Sequence, residues 1–580
     1  MKQHIDVLLQ AALKQLQISG EVPENAALAQ VEATKDNHHG DFATNIAMVL
    51  AHQMQKTPRE IAERIIEKLP SSPYLQKAEM VDPGFINFFL TVDALTSVVK
   101  KVLAEKETYG KCKIGRDKRV IVEFLSATPI GPLHVGHGRI AAYGAVISRL
   151  LDTVGFRVYK EYYVNDIGRQ IDILTVSIWL RYLALCGEEI VFPTNAYHGD
   201  YVMRIAKSIH DLHGDHFKIP AQQIYENLPV SDNQDAYLDE IIERTKKSLA
   251  DNYNIIFNFV LYHVLADIRE DLAEFGVHYD NWFSERQFAS TAAVDKMLQK
   301  LKDSNHVYEQ DHALWFRSTD FSDDRNRMLV SEHGQPTFFA NDVAYHLSKF
   351  ERGFDLAIDI FGADYHGYIV CMKAAMQACE INPERLQQLL LQFVTLYRDG
   401  APVQMSTRGS AVLTLRELRE EIGNDAARFF YVMRKHEQHV DFDLDLAKAK
   451  SDENPVYYVQ YAYARICGVF RQLTEKNMSF DEATGLAHVA LLTQPQERRL
   501  LNTISHYPDM IINAALQYEP HQLTNYVREL AADFHAYYDS HQFIVEDEAL
   551  RNARLALIAA TRQTLLNGFN LIGVGALENM

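Results

Sequence analysis

Cysteine is scarce in this sequence, with five residues in 580, and none of Cys112, Cys186, Cys371, Cys379 and Cys467 forms a Cys-x-x-Cys pair. An odd count without such a pair excludes a disulfide framework and a zinc ribbon and predicts a reducing, cytoplasmic setting. Positive charge is also short: 58 Lys and Arg stand against 77 Asp and Glu, for a net charge of −19. That is the wrong sign for a protein that coats nucleic acid without sequence preference. Local basic runs (Lys113, Arg116, Lys118 and Arg119; Arg434, Lys435, Lys448 and Lys450) leave room for a nucleic-acid partner, although alone they read as solvated faces. No stretch is apolar for long enough to cross a bilayer, and the opening MKQHIDVLLQAALKQLQ has no apolar core followed by a small-residue cleavage site. Neither membrane insertion nor export is expected. Internal repeats and low-complexity tracts are missing too.

What remains is ordinary globular usage, 47% hydrophobic and 23% charged, in a chain long enough for several folded units. Residues 1–112 read as helices followed by an alternating strand at Gly84 to Leu90, a small α+β appendage. From Arg119 the pattern becomes strand, Pro/Gly loop, helix, strand: Val120 to Leu125, then Ile140, Gly144, Ile147, Leu151 and Val154 at helical spacing, Gly155 as the stop, and Val158 to Val164. This βαβ unit opens a doubly wound domain expected over 113–425, interrupted by a polar, amphipathic insertion at about 172–333 and resumed by strands at Leu356 to Phe361 and Gln392 to Tyr397. After Asp425 no further strands are expected, and 426–580 reads as an all-α bundle. The fold class is therefore α/β, a Rossmann-like domain carrying an α+β appendage and a helical C-terminal bundle.

The richest string is Ser126-Ala-Thr128-Pro-Ile-Gly-Pro-Leu-His134-Val-Gly136-His137-Gly138-Arg139, in the first βα turn, where an open α/β sheet places its ligand crevice. His134 and His137 share one side of the first helical turn, Gly136 and Gly138 let a ligand approach the backbone, and the helix N-terminus offers N–H donors to an anion. Such a cradle suits a triphosphate. The bland reading is two capping histidines. Three histidines, His210, His213 and His216, are spaced like metal ligands, but no cysteine or other partner accompanies them in the sequence, so no metal site is expected.

With Val122 to Ser126 before it, this string resembles the signature of class I arginyl-tRNA synthetases, bacterial type. Similar segments follow in family order: His39 to Asn45, Glu161 to Asp166, Gly362 to Tyr368, Gln404 to Arg408 and Asn454 to Tyr461. The resemblance spans nearly the whole chain. It implies a Rossmann-like catalytic domain between an N-terminal domain that meets the tRNA elbow and a C-terminal anticodon-binding domain. It also implies an arginine–tRNA ligase that turns L-arginine and ATP, with Mg2+, into arginyl-adenylate and passes arginine to the 3′ end of tRNA(Arg), as a cytoplasmic monomer. His134, His137 and Arg408 would be catalytic, Arg408 with help from Arg398. Gly136, Gly362, Asp364, His366, Met405 and Ser406 would hold ATP, and Glu123, Ser126, Thr128, Phe338 and Asp342 arginine. Asn87, Tyr457, Tyr461, Arg465 and Met580 would meet tRNA. Departures from the family pattern are Thr128 for asparagine, Phe338 for tyrosine, Gln404 and Thr407 for lysines, and a chain end without its proline and arginine. They leave two alternatives open: a paralogue with altered amino-acid or acceptor specificity, and a noncatalytic tRNA-binding protein. From the residues alone, Asp364 also reads as a helix cap, and Tyr457 and Tyr461 as core.

Overall fold

The computed structural model describes residues 2–23, 31–34, 40–226, 228, 233–289, 292–403 and 413–580. They form two compact units, Lys113–Ala449 and a second that joins Met1–Cys112 to Lys450–Met580.

In the second unit, four antiparallel strands, β1 (Val31–Ala33), β2 (Phe42–Thr44), β3 (Leu75–Val81) and β4 (Phe85–Leu90), pair in the order β1-β2-β4-β3. Ile5, Leu9, Phe42, Leu50, Ile65 and Phe88 fill the core between this sheet and the helices Lys2–Ile18, Ile46–Met54 and Pro58–Lys68. The capping box Thr57/Glu60 with Pro58 sets the start of the last of these. Long helices, Pro455–Glu475, Pro495–Leu516, His521–Ser540 and Glu548–Ile572, make up the C-terminal part. Tyr109, just before the boundary, stacks on Tyr507 with ring centroids 5.6 Å apart and donates to the Ile504 carbonyl at 2.8 Å.

The unit Lys113–Ala449 is built on a five-stranded parallel sheet, with β5 (Arg119–Phe124), β6 (Arg157–Val164), β7 (Asn281–Ser284), β11 (Leu356–Gly362) and β12 (Leu386–Leu391) ordered β12-β11-β5-β6-β7. β5 is central, and Val120, Ile121, Val122 and Phe124 are all fully buried, as expected of a parallel strand covered on both faces. The helix that follows, Val135–Thr153, packs so closely on β5 that a Cβ at Gly144 would lie 2.3 Å from the Phe124 ring, so the glycine is a packing requirement.

Two expectations are corrected here. The insertion at about 172–333 is not continuous: after four long helices ending at Glu274, β7 returns to the main sheet and pairs in parallel with β6. The remainder includes a small antiparallel sheet of β8 (Val307–Gln310), β9 (Ala313–Phe316) and β10 (Arg327–Val330). Strands also continue past Asp425. β13 (Val394–Arg398) pairs antiparallel with β14 (Ala401–Pro402) and parallel with β15 (Val440–Asp443), so residues 426–449 belong to the sheet-bearing unit. β15 alternates buried Val440 and Phe442 with exposed Asp441 and Asp443, but it is too short for its period to stand out from the surrounding helices.

Candidate active site

From β5 the chain continues to one side through β6 to β7, whereas β11 and β12 lie on the other side. The C-terminal ends of the neighbours β5 and β11 therefore mark a switch point, where open α/β sheets hold ligands. Directly after β5, Leu125 and Ser126 both have positive φ, 72° and 44°, a conformation that costs of order 1–3 kcal/mol per residue and survives only where its surroundings enforce it. Here they do: Ser126 Oγ donates to Glu123 Oε1 at 3.0 Å and accepts from the Tyr163 N–H at 3.1 Å.

At the start of the helix Val135–Thr153, His134 is the N-cap and its Nδ1 accepts from the Gly136 N–H at 3.1 Å, while His137 Nδ1 accepts from the His134 N–H at 3.2 Å. The two rings stack with centroids 3.5 Å apart. Burial depresses the pKa of His134; burial and then the neighbouring His134 hold that of His137 well below the usual imidazole range. Both rings are therefore neutral at pH 7. Because each Nδ1 accepts a backbone N–H, the single proton of each ring sits on Nε2, which becomes a hydrogen-bond donor. Capping thus engages Nδ1 and leaves Nε2–H to face another partner, so the capping reading does not compete with the catalytic one. Gly138 departs from expectation: a Cβ there would lie 2.7 Å from Leu415 and 2.8 Å from Tyr431, whereas one at Gly136 would meet only the His134 ring, at 3.0 Å. Tight packing, rather than access for a ligand, requires glycine at Gly138. Arg139 is buried and donates to the Gln392 and Lys435 carbonyls, locking the helix to the segment around β13.

Beside Ser126 lies a buried ionic cluster. Glu123 Oε2 accepts from Lys349 Nζ at 2.6 Å and from the Tyr345 hydroxyl at 2.9 Å, and Lys349 also donates to Asp359 Oδ1 at 2.7 Å. His346 bridges Asp359 Oδ2 at 2.8 Å and Asp342 Oδ1 at 3.0 Å. Arg352 grips Glu161 through two bonds of 2.6 and 2.8 Å, and Tyr345 also contacts Glu161 at 2.9 Å. Glu123, His346 and Asp359 together would suit a metal ion, but the Lys349 ammonium already occupies the space between the two carboxylates. Four carboxylates thus face three cations, leaving one negative charge over. Asp342, at 20% side-chain exposure, is the most open of the four carboxylates, whereas the side chains of Glu123, Asp359 and Glu161 are 4%, 0% and 0% exposed. Nearby Glu285 is pushed up to about 7, chiefly by burial and then by Asp166 and Asp342, with Tyr163 pulling the other way.

Burial and the Lys349 ammonium push His346 down, but Asp342 and Asp359 outweigh them and lift it to about 10. A histidine whose folded pKa is raised contributes stability that is complete below its unfolded value of about 6.5. That contribution is lost as pH rises through about 10. Melting temperature measured from pH 7 to 10 at fixed ionic strength should therefore fall, and His346→Gln should remove much of that slope. An unchanged slope in the variant would show that His346 is not the titrating group.

Gly362 ends β11 and caps the single 3-10 turn Ala363–Tyr365, so Asp364 lies exposed inside the turn, and it is not the cap of the next helix either, whose N-cap is Gly367. His366 follows, also exposed. Phe338 starts the helix Phe338–Glu351 that carries Asp342, is 51% exposed, and has its ring 6.4 Å from Tyr368. Thr128 is half-buried and its carbonyl accepts from the Ile130 N–H at 2.8 Å. Met405, Ser406 and Arg408, with Gln404 and Thr407, lie outside the described residues, as does His39. Arg398, expected to assist Arg408, is held by Glu421 Oε2 at 2.6 Å. The residues that sequence reasoning passed over are Lys349, Asp359, Arg352 and Glu285. The spacing of Asp342, His346 and Lys349 on one helix face was the available signal.

In the other unit, Tyr457 and Tyr461 stack at 5.9 Å, and the Arg465 guanidinium lies 4.4 Å from the Tyr461 ring centroid and 4.7 Å from that of Tyr538. All of Tyr457, Tyr461 and Arg465 are half-buried rather than core. Gln460 on the same helix donates to the Gly575 carbonyl at 2.9 Å, which ties down the chain end, and Met580 is 47% exposed. Asn87 is only 3% exposed within its sheet, so another molecule reaches it only by displacing its neighbours.

Three family models match the chain: arginyl tRNA synthetase N terminal domain over residues 3–90, tRNA synthetases class I (R), catalytic domain over 98–452, and DALR anticodon binding domain over 459–580. The arginine–tRNA ligase of Thioalkalivibrio sulfidiphilus is 52% identical and that of Hydrogenovibrio crunogenus 50% identical, each alignment covering all of both chains. Among solved structures, the Thermus thermophilus arginyl-tRNA synthetase superposes with a TM-score of 0.76 at 21% identity over all of both chains. That of Plasmodium falciparum does so with 0.70 at 16% over 100% of this chain and 99% of that one. At those identities the structures speak to the fold.

Proposed function

This chain belongs to the class I arginyl-tRNA synthetases, and from that premise we propose that the switch-point crevice activates L-arginine with ATP and hands it to tRNA(Arg). The observation that carries the reading is the acidic cluster, one cation short and open at Asp342, next to two neutral histidines that present Nε2–H donors. A guanidinium supplies the missing positive charge and, being planar, suits carboxylate partners. Glu123 and Asp342, with Ser126 and Thr128, are its proposed neighbours, and the Phe338 ring borders the entrance. ATP, carried in as its Mg2+ complex, would lay its ribose against Gly362, Asp364 and His366 and its phosphates along His134 and His137, with Met405, Ser406 and Arg408 as further partners. The arginine carboxylate then attacks the α-phosphorus in line, pyrophosphate leaves, and the terminal ribose hydroxyl of tRNA attacks the adenylate and releases AMP. Positioning and electrostatics do the work, with no covalent enzyme intermediate. Among the described residues no helix is long and apolar enough to cross a membrane, and the reading places the chain in the cytoplasm as a monomer.

The test is aminoacylation of total tRNA with each radiolabelled amino acid in turn, with ATP and Mg2+. Arginine alone should be charged. Charging of another amino acid would instead establish a paralogue, and binding of tRNA with no charging at all would overturn the reading.

For the anticodon we propose the Tyr457, Tyr461 and Arg465 face, together with Met580. Stacking of one base on an aromatic ring is worth about 1–3 kcal/mol, so Tyr461→Ala should raise the KM for tRNA by about tenfold or more while leaving the KM values for arginine and ATP unchanged. Equal changes in all three would point to a folding defect.

A further inference from the structure

Three metal-ligating side chains of different chemistry converge on elements that the reaction above does not use. Cys186 is the C-cap of the helix Arg169–Leu185, His210 lies in the last turn of the helix Asp200–His213, and Asp215 follows in the turn opened by Gly214. The sequence shows three spaced histidines without a cysteine. The fold supplies the cysteine from the preceding helix, and of the three histidines it is the His210 ring that comes together with Cys186 and Asp215, while His213 packs edge-on against Phe217 and Phe259 and His216 against Phe217.

The ligand atoms of Cys186, His210 and Asp215 all lie within 4.8 Å of one another, with His210 Nε2 at 3.9 Å from Asp215 Oδ1. A tetrahedral ion with donors at about 2.0–2.3 Å keeps those donors roughly 3.3–3.7 Å apart, so small side-chain rotations close the set. The backbone beneath them is already fixed. Tyr182, on the cysteine's helix, donates to the Gly214 carbonyl at 2.6 Å and accepts from the Phe217 N–H at 3.0 Å. Lys218 Nζ donates to the Cys186 carbonyl at 2.8 Å, and Trp179 to the Phe217 carbonyl at 3.2 Å. Side-chain exposures of 35% for His210 and 66% for Asp215 leave an entry path and a fourth position for water.

We propose that Cys186, His210 and Asp215 form a binding site for one borderline-soft divalent cation of the Zn2+ class, which clips the end of one insertion helix to the turn after the next. A thiolate and a carboxylate balance the charge of a dication, and the sulfur and imidazole donors select against Mg2+ and Ca2+, which take oxygen ligands. Binding releases the thiol proton to solvent, so affinity rises with pH. The site is independent of the arginine reading.

Co2+ titrated into the metal-stripped full-length protein, without nucleotide, should bind at about one equivalent with a thiolate-to-cobalt band in the near ultraviolet and tetrahedral visible bands that Zn2+ erases. Cys186→Ser and His210→Ala should each abolish the thiolate band, and Asp215→Asn should weaken binding. Zn2+ should raise the melting temperature of the parent protein but not of Cys186→Ser. The half-exposed serine variant should still charge tRNA, which separates loss of the site from loss of the fold. A missing thiolate band in the parent, or an unchanged one in Cys186→Ser, would overturn the proposal.

Discussion

Replacing Lys349 with methionine should destabilise the sheet-bearing unit by about 3–5 kcal/mol, the range seen when one partner of a buried ion pair is removed. Lys349 is fully buried, and its ammonium lies 2.6 Å from Glu123 and 2.7 Å from Asp359. Burial pushes its pKa down, but the Asp359 and Glu123 carboxylates more than reverse that, so it stays charged. Methionine fills the volume and leaves two buried carboxylates facing each other without their shared cation. His346 would still hold Asp359, but Glu123 would keep only the hydroxyls of Ser126 and Tyr345. Adding Asp359→Asn removes one of the orphaned charges and should recover part of the loss, a coupling that two independent sites would not show. Urea unfolding of the parent, the single variant and the double variant measures both quantities. A loss below about 1 kcal/mol for Lys349→Met would mean that the cluster is solvated and worth no more than a surface pair. Since Glu123 is the proposed partner of the substrate guanidinium, any folded fraction of Lys349→Met should also show a raised KM for arginine.

How much of this was legible in the sequence depends on whether the signal was local. The crevice was, because β5, the Ser126 turn and the His134/His137 cap lie within one run of the chain, and strand–loop–helix grammar places them at a sheet's C-terminal edge. The proposal that Glu123 and Asp342 hold the substrate came from the family resemblance. What surrounds them did not: nothing local in the sequence marks Lys349 or Arg352, and only the parallel pairing of β5 with β11 and β6 brings Asp359, Glu123 and Glu161 side by side to meet them. β7 was hidden for a similar reason. Asn281 to Ser284 has neither alternation nor a long apolar run, and all four residues are only half-buried. The role of Gly138 was misjudged because a glycine that admits a ligand and one that admits Leu415 look alike in a sequence. Cys186 and His210 had no visible relation at all until two helices packed.

His137→Ala should lower kcat for aminoacylation by about 10²–10³, the usual loss when one preorganised donor to developing charge is deleted. The argument rests on the tautomer. With Nδ1 engaged by the His134 N–H at 3.2 Å, the neutral ring carries its proton on Nε2, fixed before substrate arrives and needing no reorganisation in the transition state. Alanine removes this donor together with a cap bond worth about 1 kcal/mol. His137→Gln separates the two roles, since glutamine at the third helical position can still accept from the cap N–H. It should keep the parent's melting temperature and still lose most of kcat. Burial and His134 depress the His137 pKa, so protonation would have to break the Nδ1 contact. Activity should accordingly be flat through neutral pH with respect to this residue and fall only on the acid side of the ordinary imidazole value of about 6.5. Kinetics of Arg-tRNA formation against pH for the parent and both variants decide the matter. A parent profile that rises on acidification through that value would show a charged imidazolium at work and would sink the neutral-donor mechanism, and a wild-type kcat in His137→Ala would remove His137 from the chemistry altogether.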